Sequence, residues 1–197
     1  LGRVHSMLVR DVVRVQGRVK AMYRARGVGT PGKSVYGPKE RERWLRQLPV
    51  SSRWATEKLH QQYDLLLELK QEAEQELVAE SRKHRIAKVL ATAPGLGPIR
   101  VARLLPIVVT PHRFRTRSQF WAYCGFGVVT RSTSDYVFDR GQWTRARVAQ
   151  TRGLNFNHNR TLKAIFKGAA TTVLAHMGPN PLKAGYERTL AGGTKPN

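Results

Sequence analysis

Apolar side chains recur at steps of three and four residues along much of this chain, the spacing that places them on one face of an α-helix. Residues 1–26 carry such a face, formed by Val4, Leu8, Val12, Val15, Val19, Met22 and Tyr23. Residues 159–177 carry another, formed by Leu162, Ile165, Phe166, Ala169, Ala170, Val173, Leu174 and Met177. We therefore predict an amphipathic helix in each stretch, the second with a basic outer side.

Residues 53–84 predict the longest helix. An imperfect heptad seam runs along it, formed by Leu59, Tyr63, Leu66, Lys70, Ala73 and Leu77. Seven of the 13 acidic residues also lie here, so this stretch is the part of the chain least suited to DNA. Two arrangements fit the pattern equally: a coiled-coil arm for self-association or domain docking, or an antiparallel hairpin with the helix of residues 1–26.

Residues 85–107 contain two apolar helical runs separated by the sequence PGLGP at residues 94–98. The first proline ends one helix, the glycines permit a tight turn, and Pro98 suits the first turn of the next helix. The pattern predicts a helix-hairpin-helix. In such a motif, backbone N–H groups of the turn and of the second helix form a nest for one phosphate, whatever the base sequence. A plain helix–turn–helix corner without a ligand is the alternative.

Residues 111–117 (PHRFRTR) form a basic, aromatic loop before a short helix that ends near Cys124. Thr116 or Ser118 can cap that helix. We expect the aromatic residues here to pack in the core, namely Phe114, Phe120, Trp121 and Tyr123. Residues 126–138 alternate loosely between apolar and polar side chains, which predicts a strand pair that turns around residues 133–135.

These patterns together predict a mainly α fold. A long helical, coiled-coil-like hairpin is followed by an α domain that contains the helix-hairpin-helix and a small β-hairpin. We assign residues 1–84 to the helical region and residues 85–190 to the second domain. Residues 191–197 are expected to form a disordered tail.

Charge is distributed unevenly along the chain. There are 35 lysines and arginines against 13 acidic residues, a net charge of +22, of which residues 1–80 carry +5 and residues 81–197 carry +17. So positive a surface repels itself unless it binds a polyanion, and nucleic acid is the leading candidate. An anionic membrane is disfavoured, because the basic stretches lack a helix with a Trp, Phe and Leu face. The single cysteine, Cys124, fits a reducing cytoplasm.

Arginines accumulate around the serines at positions 132 and 134. Guanidinium groups beside a hydroxyl are what the transition state of a phosphodiester reaction requires for charge neutralisation. The predicted DNA-binding residues are Gly95, Leu96, Gly97, Arg100, Arg103, Arg113, Arg115, Arg117, Arg131, Arg140, Arg145 and Arg147. No metal site and no bound cofactor are expected, because the histidines are dispersed and no partner set accompanies the glutamates of residues 53–84.

Three segments in this order resemble a known family. They are PGLGPIRVARLL, HRFRTRSQFWAYCGF and NRTLKAIFKGAATTVL, with RSTS between the last two. They are similar to the C-terminal half of insertion-sequence transposases of the one-ten, one-sixteen and nine-oh-two group, which also resemble the pilin-gene invertases. The resemblance covers roughly residues 1–177. Two departures from the family pattern are Asn157-His158 before the last helix and the long segment after Ser134.

The resemblance implies DNA cleavage and strand exchange by a serine nucleophile together with a RuvC-like domain that binds Mg²⁺ through four acids. The family's serine falls on Ser132, with Ser134 as the runner-up. No RuvC-like acid cluster is present in these residues, so we expect DNA binding without transposition by this chain alone. A dimer or tetramer through residues 53–84, a bacterial nucleoid location and a structured guide RNA as a further partner are implied in the same way.

Two other functions compete with this one. A base-excision glycosylase with a helix-hairpin-helix places a catalytic aspartate about 20 residues after the hairpin, but no acid occurs between Glu80 and Asp135. A non-catalytic module that binds DNA or structured RNA has no such conflict. It therefore stays open as the alternative.

Overall fold

The computed structural model describes residues 1–130, 136–145 and 151–193. The helices are α1 (Gly2–Arg24), α2 (Arg41–Arg46), α3 (Val50–Arg82), α4 (Arg85–Ala91), α5 (Pro98–Val108), α6 (Arg117–Tyr123), α7 (Arg160–His176) and α8 (Pro181–Ala191). The strands are β1 (Val128–Thr130), β2 (Tyr136–Asp139), β3 (Gln142–Arg145) and β4 (Thr151–Leu154). The mainly α prediction is thereby confirmed. The chain divides into two compact units, unit 1 (Leu1–His84) and unit 2 (Arg85–Asn197).

In unit 1, α1 and α3 pack against each other in antiparallel directions. His5 Nε2 on α1 hydrogen-bonds with Glu74 Oε1 on α3 at 3.0 Å, and Gln16 Nε2 donates to Tyr63 Oη at 3.2 Å. Residue numbers therefore increase along α1 in the direction in which they decrease along α3, as two antiparallel helices require. The core between them and α2 consists of Val12, Val15, Val19, Tyr23, Val35, Leu48 and Tyr63.

Side chains of the heptad seam predicted on α3 pack inside unit 1. Tyr63 is buried in the core with α1, and Leu59 and Leu66 pack against the same core. Leu77 is also buried. The antiparallel hairpin, one of the two arrangements left open above, therefore accounts for the seam. An oligomer through residues 53–84 stays a prediction and would need another face of α3.

Unit 2 is organised around α7. Leu162 is fully buried and Ile165 is 3% exposed, and both pack against α5 residues, among them Val101 and Leu104. Ala87 from α4, Leu96 from the turn and Cys124 after α6 complete the same core. The apolar periodicity of residues 159–177 thus becomes the central helix of the unit, as predicted. α8 ends at Ala191, the first residue of the segment assigned to a tail, and residues 194–197 lie outside the described residues.

The strands pair differently from the prediction. β1 pairs with β4, with Val128 opposite Leu154 and Thr130 opposite Thr151. β2 pairs with β3 through the two-residue turn Arg140-Gly141. Both turn residues have positive φ, 49° and 82°, which is the backbone of a hairpin turn matched to strand twist. A small β-hairpin is therefore present at residues 136–145, and the turn predicted around residues 133–135 lies outside the described residues.

Candidate nucleic-acid interface

The first half of the PGLGP turn is built into the core of unit 2. Gly95 has φ +77°, and a Cβ on it would overlap the carbonyl oxygen of Ala169 on α7. The next residue, Leu96, is buried, and its N–H donates to the carbonyl of Ala93 at 3.1 Å. The side chain and N–H of Leu96 are thus engaged inside unit 2, and the carbonyl of Gly95 accepts from Arg100 Nη1. Contacts of Gly95 and Leu96 with DNA stay predictions.

The second half of the turn is open. Gly97 is exposed, and an added Cβ there would meet nothing within 4 Å. Pro98 follows as the first residue of α5, where its lack of an N–H costs nothing. The N–H groups of the first helical turn have no partner inside the helix and carry the positive end of its dipole. Gly97 and the start of α5 are thus the part of the predicted nest that can still contact a phosphate.

Arg100 and Arg103 on α5 do not lie in equivalent places. Arg100 Nη1 donates to the carbonyl of Gly95 at 2.7 Å, and its guanidinium lies against Gly168 of α7. This contact ties α5 to the turn and to α7, so Arg100 supports the fold. Arg103 is partly exposed.

The connection between α5 and α6 contains three more of the predicted arginines. Arg113 Nη1 donates to the carbonyl of Ile107 at 2.9 Å, and its guanidinium lies 4.9 Å and 5.0 Å from the ring centroids of Phe114 and Tyr123. Arg113 thus covers the end of α5 and an aromatic cluster. The side chains of Arg115 and Arg117 are exposed. They are the two arginines of this segment that can contact a polyanion without breaking an internal contact.

The start of α6 explains why those two arginines stand where they do. Thr116 Oγ1 accepts a hydrogen bond from Gln119 N at 3.2 Å, which caps the helix as predicted, and Gln119 Oε1 accepts from Arg115 N at 2.9 Å. This is a variant of the capping box. The reciprocal pair fixes the backbone on both sides of Thr116 and holds Arg115 and Arg117 at the exposed first turn.

The aromatic residues around α6 divide into packed and exposed ones. Phe114, Phe120 and Tyr123 form a cluster with ring centroids 5.1 Å and 5.4 Å apart, joined by Phe166 of α7. Trp121, which was also expected in the core, is 59% exposed. The reason is helical geometry, since Phe120 and Tyr123 occupy the face of α6 that meets the cluster, and Trp121 falls outside it.

His158 and Asn159 are the two residues that precede α7. They connect the start of α7 to the end of α6, although no role was predicted for them. Asn159 Oδ1 caps α7 by accepting from Leu162 N at 3.0 Å, and its own N–H donates to Tyr123 O at 2.9 Å. His158 packs over Gly125, where a Cβ would lie 2.6 Å from the imidazole ring. An asparagine directly before a regular apolar helix is the signal that could have identified the cap.

Four of the predicted residues lie outside the described residues. Ser132, Ser134 and Arg131 belong to residues 131–135, and Arg147 belongs to residues 146–150. The first segment follows Thr130, the second precedes Thr151, and these two threonines are opposite each other in the β1–β4 ladder. Both segments therefore join the described chain at the same end of that ladder. The remaining two arginines, Arg140 and Arg145, are exposed on the β2–β3 hairpin.

Ion pairs distinguish the two units. Within residues 1–130, 136–145 and 151–193, every lysine or arginine that pairs with a carboxylate lies in unit 1. Unit 2 contains 18 lysines and arginines against three acidic residues, a net charge of +15. Its cations are thus left without internal neutralisation wherever the structure describes them.

Other chemistry finds little support in the described residues. Burial raises the pKa of the Cys124 thiol to about 11, so this cysteine remains protonated and is not a nucleophile at neutral pH. No group of three histidine, cysteine, aspartate or glutamate side chains among the described residues is placed to hold a metal ion. In the same part of the chain, no helix is both long enough and apolar enough to cross a membrane.

Comparison with known families identifies the class of protein. Residues 87–187, just over half of the chain, match a family of transposases, which are enzymes of DNA recombination. The chain belongs to the Transposase IS116/IS110/IS902 family, and the match corresponds to a C-terminal part of such a transposase. Membership implies an interaction with DNA. The comparisons with curated proteins and with solved structures return no match.

Proposed function

We propose that unit 2 binds the DNA backbone as the C-terminal part of a transposase, and that Ser132 is its nucleophile in strand cleavage and exchange. The observation that carries the proposal is the excess of +15 in unit 2 without an ion pair among its described residues. A folded surface of this charge gains free energy when it meets phosphates, because it displaces the counterions condensed on DNA.

The exposed arginines supply the contacts for this binding. Arg115 and Arg117 stand at the start of α6, and Arg140 and Arg145 stand on the β2–β3 hairpin. Guanidinium groups bind phosphate in a bidentate, planar way. Gly97 and the start of α5 add backbone N–H groups that can hold one more phosphate. Such contacts position the duplex without reading its bases.

The serine step is a substitution at phosphorus. The Ser132 hydroxyl oxygen forms a bond to the phosphorus of the scissile phosphate, and the bond from phosphorus to one DNA oxygen breaks. The hydroxyl proton passes through solvent to the departing oxygen, which leaves a phosphoserine link. Arginines close to Ser132 in the sequence, among them Arg131, neutralise the charge that develops on the phosphate oxygens. Ser134 is the runner-up for this role.

Family resemblance also implies Mg²⁺ in a RuvC-like domain. The described residues do not fit that ion, since they bring no carboxylate cluster together. In keeping with the resemblance, we propose that a RuvC-like domain of the transposase holds this ion. A nucleoid-associated location in the bacterial cytoplasm, a dimer or tetramer and a structured guide RNA remain proposals of the same kind.

A binding experiment tests the first part of the proposal. Affinity for a fluorescent duplex should fall by orders of magnitude between about 50 and 200 mM salt. Arg115→Gln with Arg117→Gln should lower it several-fold and reduce the salt slope by about two. The matched control is Arg3→Gln with Arg18→Gln, which removes the same charge from exposed positions in unit 1. Equal losses in the two double variants would contradict a binding surface in unit 2.

A cleavage experiment tests the serine. The chain is joined to a RuvC-like domain of the same family and incubated with supercoiled DNA. Ser132→Ala should abolish nicking and the covalent protein–DNA adduct, and Ser134→Ala should retain both. An adduct that persists in Ser132→Ala but disappears in Ser134→Ala would move the role to Ser134. Cleavage that survives both substitutions would leave unit 2 as a non-catalytic binding module.

A further inference from the structure

The β2–β3 hairpin displays aromatic side chains on one of its faces. In an antiparallel ladder, residues directly opposite each other share a face, and so do residues two apart on one strand. Tyr136 lies opposite Arg145, and Phe138 lies opposite Trp143. Three aromatic rings and one guanidinium therefore stand on the same face of a two-stranded ribbon, which we call the aromatic ribbon.

The rings of the aromatic ribbon are open to solvent. Tyr136 is 58%, Phe138 is 59% and Trp143 is 69% exposed. Phe138 and Trp143 contact each other edge to face, with centroids 5.3 Å apart and planes at 60°. That contact orients the indole but leaves most of its surface exposed. The Phe138–Trp143 contact stabilises the hairpin, and the exposed surface of the three rings is available to a partner.

Charge indicates which partner the aromatic ribbon accepts. Arg145 stands on the aromatic face and Arg140 in the turn, against one acidic residue, Asp139. Their unit carries +15. A polyanion with flat apolar faces satisfies both features, and that is the chemistry of a nucleic acid. In a duplex the base faces are covered by neighbouring pairs, so only unpaired bases can stack on the rings.

We propose that the aromatic ribbon is a stacking platform for unpaired DNA bases, with Trp143 and Tyr136 as stacking groups and Arg145 and Arg140 at the phosphates. Tyr136 and Trp143 are diagonal neighbours across the ladder, about 7–8 Å apart, which is roughly twice the 3.4 Å rise between stacked bases. One base therefore fits between these two rings. The inference rests on the proposed DNA binding and adds that the bound DNA includes a strand whose bases are unpaired.

The test compares single-stranded and duplex DNA on the full 197-residue chain. Anisotropy is measured with a labelled oligothymidine and with a blunt duplex of equal length. Trp143→Leu keeps an apolar side chain but removes the planar face, so it should weaken oligothymidine binding at least about fivefold. Trp143→Phe should retain most of the affinity. Duplex affinity should change by less than about twofold in both variants.

Trp54 provides a matched control. It is also 69% exposed, but it lies on α3 of unit 1 beside Lys58. Trp54→Leu should leave both affinities unchanged. Oligothymidine should quench tryptophan fluorescence in the parent chain, and this quenching should shrink in Trp143→Leu and persist in Trp54→Leu. Circular dichroism shows whether each variant is folded, which is expected because both side chains are exposed.

The remaining outcomes separate this inference from the proposed function. If the parent chain binds duplex DNA and Trp143→Leu binds oligothymidine as the parent does, the stacking platform is wrong and DNA binding stands. If the parent chain binds neither form, the proposed function fails as well. Tighter binding of oligouridine than of oligothymidine would overturn the choice of DNA. A protein partner that binds the Trp143→Leu variant but not the Trp143→Asp variant would indicate that the aromatic ribbon makes an apolar protein contact instead.

Discussion

Arg41 and Arg117 are each the first residue of a short helix, one in unit 1 and one in unit 2, but their surroundings differ. Arg41 donates to both carboxylate oxygens of Asp64, at 2.6 Å and 2.8 Å, and its side chain is 18% exposed. Arg117 is exposed and pairs with no carboxylate in the described structure. The first arginine holds an α2–α3 contact together. The second is available to a ligand.

The same contrast appears in the interiors of the two units. The buried polar side chains among the described residues all lie in unit 1, and they are His5, Thr30, Ser52, Thr56, His60 and Ser81. The buried side chains described in unit 2 are apolar, apart from the thiol of Cys124. Buried titratable side chains make the free energy of unfolding depend on pH, and exposed cations make the affinity for a polyanion depend on salt. We therefore expect protons to control the stability of unit 1 and ionic strength to control the binding by unit 2.

The largest expected effect is that of Gly95→Ala. The new Cβ would overlap the carbonyl oxygen of Ala169 and lie 2.9 Å from Val173 Cγ2, at a φ of +77°. Strain and overpacking together should destabilise unit 2 by about 2–5 kcal/mol. Hydrogen exchange resolved by segment should show the loss in residues 85–193 and leave residues 1–84 unchanged.

Gly97→Ala is the control for that prediction. It lies in the same turn, but its φ is −69° and nothing lies within 4 Å of an added Cβ. Its stability should change by less than about 0.5 kcal/mol. Equal losses from both substitutions would mean that the turn is not packed against α7 as described.

Much of this fold could be predicted from the sequence, because the information is local. The apolar periodicity that includes Val15 and Leu162 requires only that a helix bury one face. Strand pairing could not be derived in this way, since β1 pairs with the distant β4. Residues 133–135 also have better turn chemistry than Arg140-Gly141, whose positive φ at an arginine is set by the ladder on either side.

The candidate site shows the same limit. The excess of arginine in unit 2 is visible in the composition. The composition does not show which arginines are available to a ligand. Arg100 and Arg113 donate to the carbonyls of Gly95 and Ile107, and these acceptors are in place only once the helices have formed. Likewise, the exposure of Trp121 follows from a cluster that Phe166 brings from another helix.

A second prediction concerns His60, which is fully buried and has no hydrogen-bond partner on either ring nitrogen. Burial first, and then the charge of Arg41, lower its pKa from 6.5 to about 4, while Asp64 acts in the opposite direction. The unfolded chain therefore binds the proton more readily. Stability is complete above the unfolded pKa and is lost as pH falls from 6.5 toward 4, by about 2 kcal/mol between pH 7.5 and 5.

Urea unfolding at several pH values measures this loss. The pKa of Glu74 is also lowered, but from 4.5, so its contribution falls below the window. His60→Leu should remove most of the slope between pH 7.5 and 5 and should cost little at pH 7.5, because no hydrogen bond is broken. A slope that survives this substitution would mean that another group carries the pH dependence of unit 1.

A third prediction returns to the two arginines. Arg41→Gln removes both hydrogen bonds to Asp64 and should destabilise unit 1 by about 1–2 kcal/mol, since the carboxylate is half exposed and water replaces part of the loss. Arg117→Gln should change the stability of unit 2 by less than about 0.5 kcal/mol while it weakens DNA binding. Removing Arg41 should also raise the pKa of His60, which NMR titration of the imidazole would follow.

The smallest expected effect is that of Arg46→Gln, which tests whether an ion pair must be shielded from solvent to contribute to stability. Arg46 pairs with Glu42 on the same helix as Arg41, but both side chains are more than 70% exposed. Arg46→Gln should therefore cost less than about 0.5 kcal/mol, in contrast to Arg41→Gln. If the two substitutions cost the same, the shielded position of Arg41 would not be the reason for its contribution. The difference between the two units would then come from the number of acidic residues in each unit, and not from how shielded the paired arginines are.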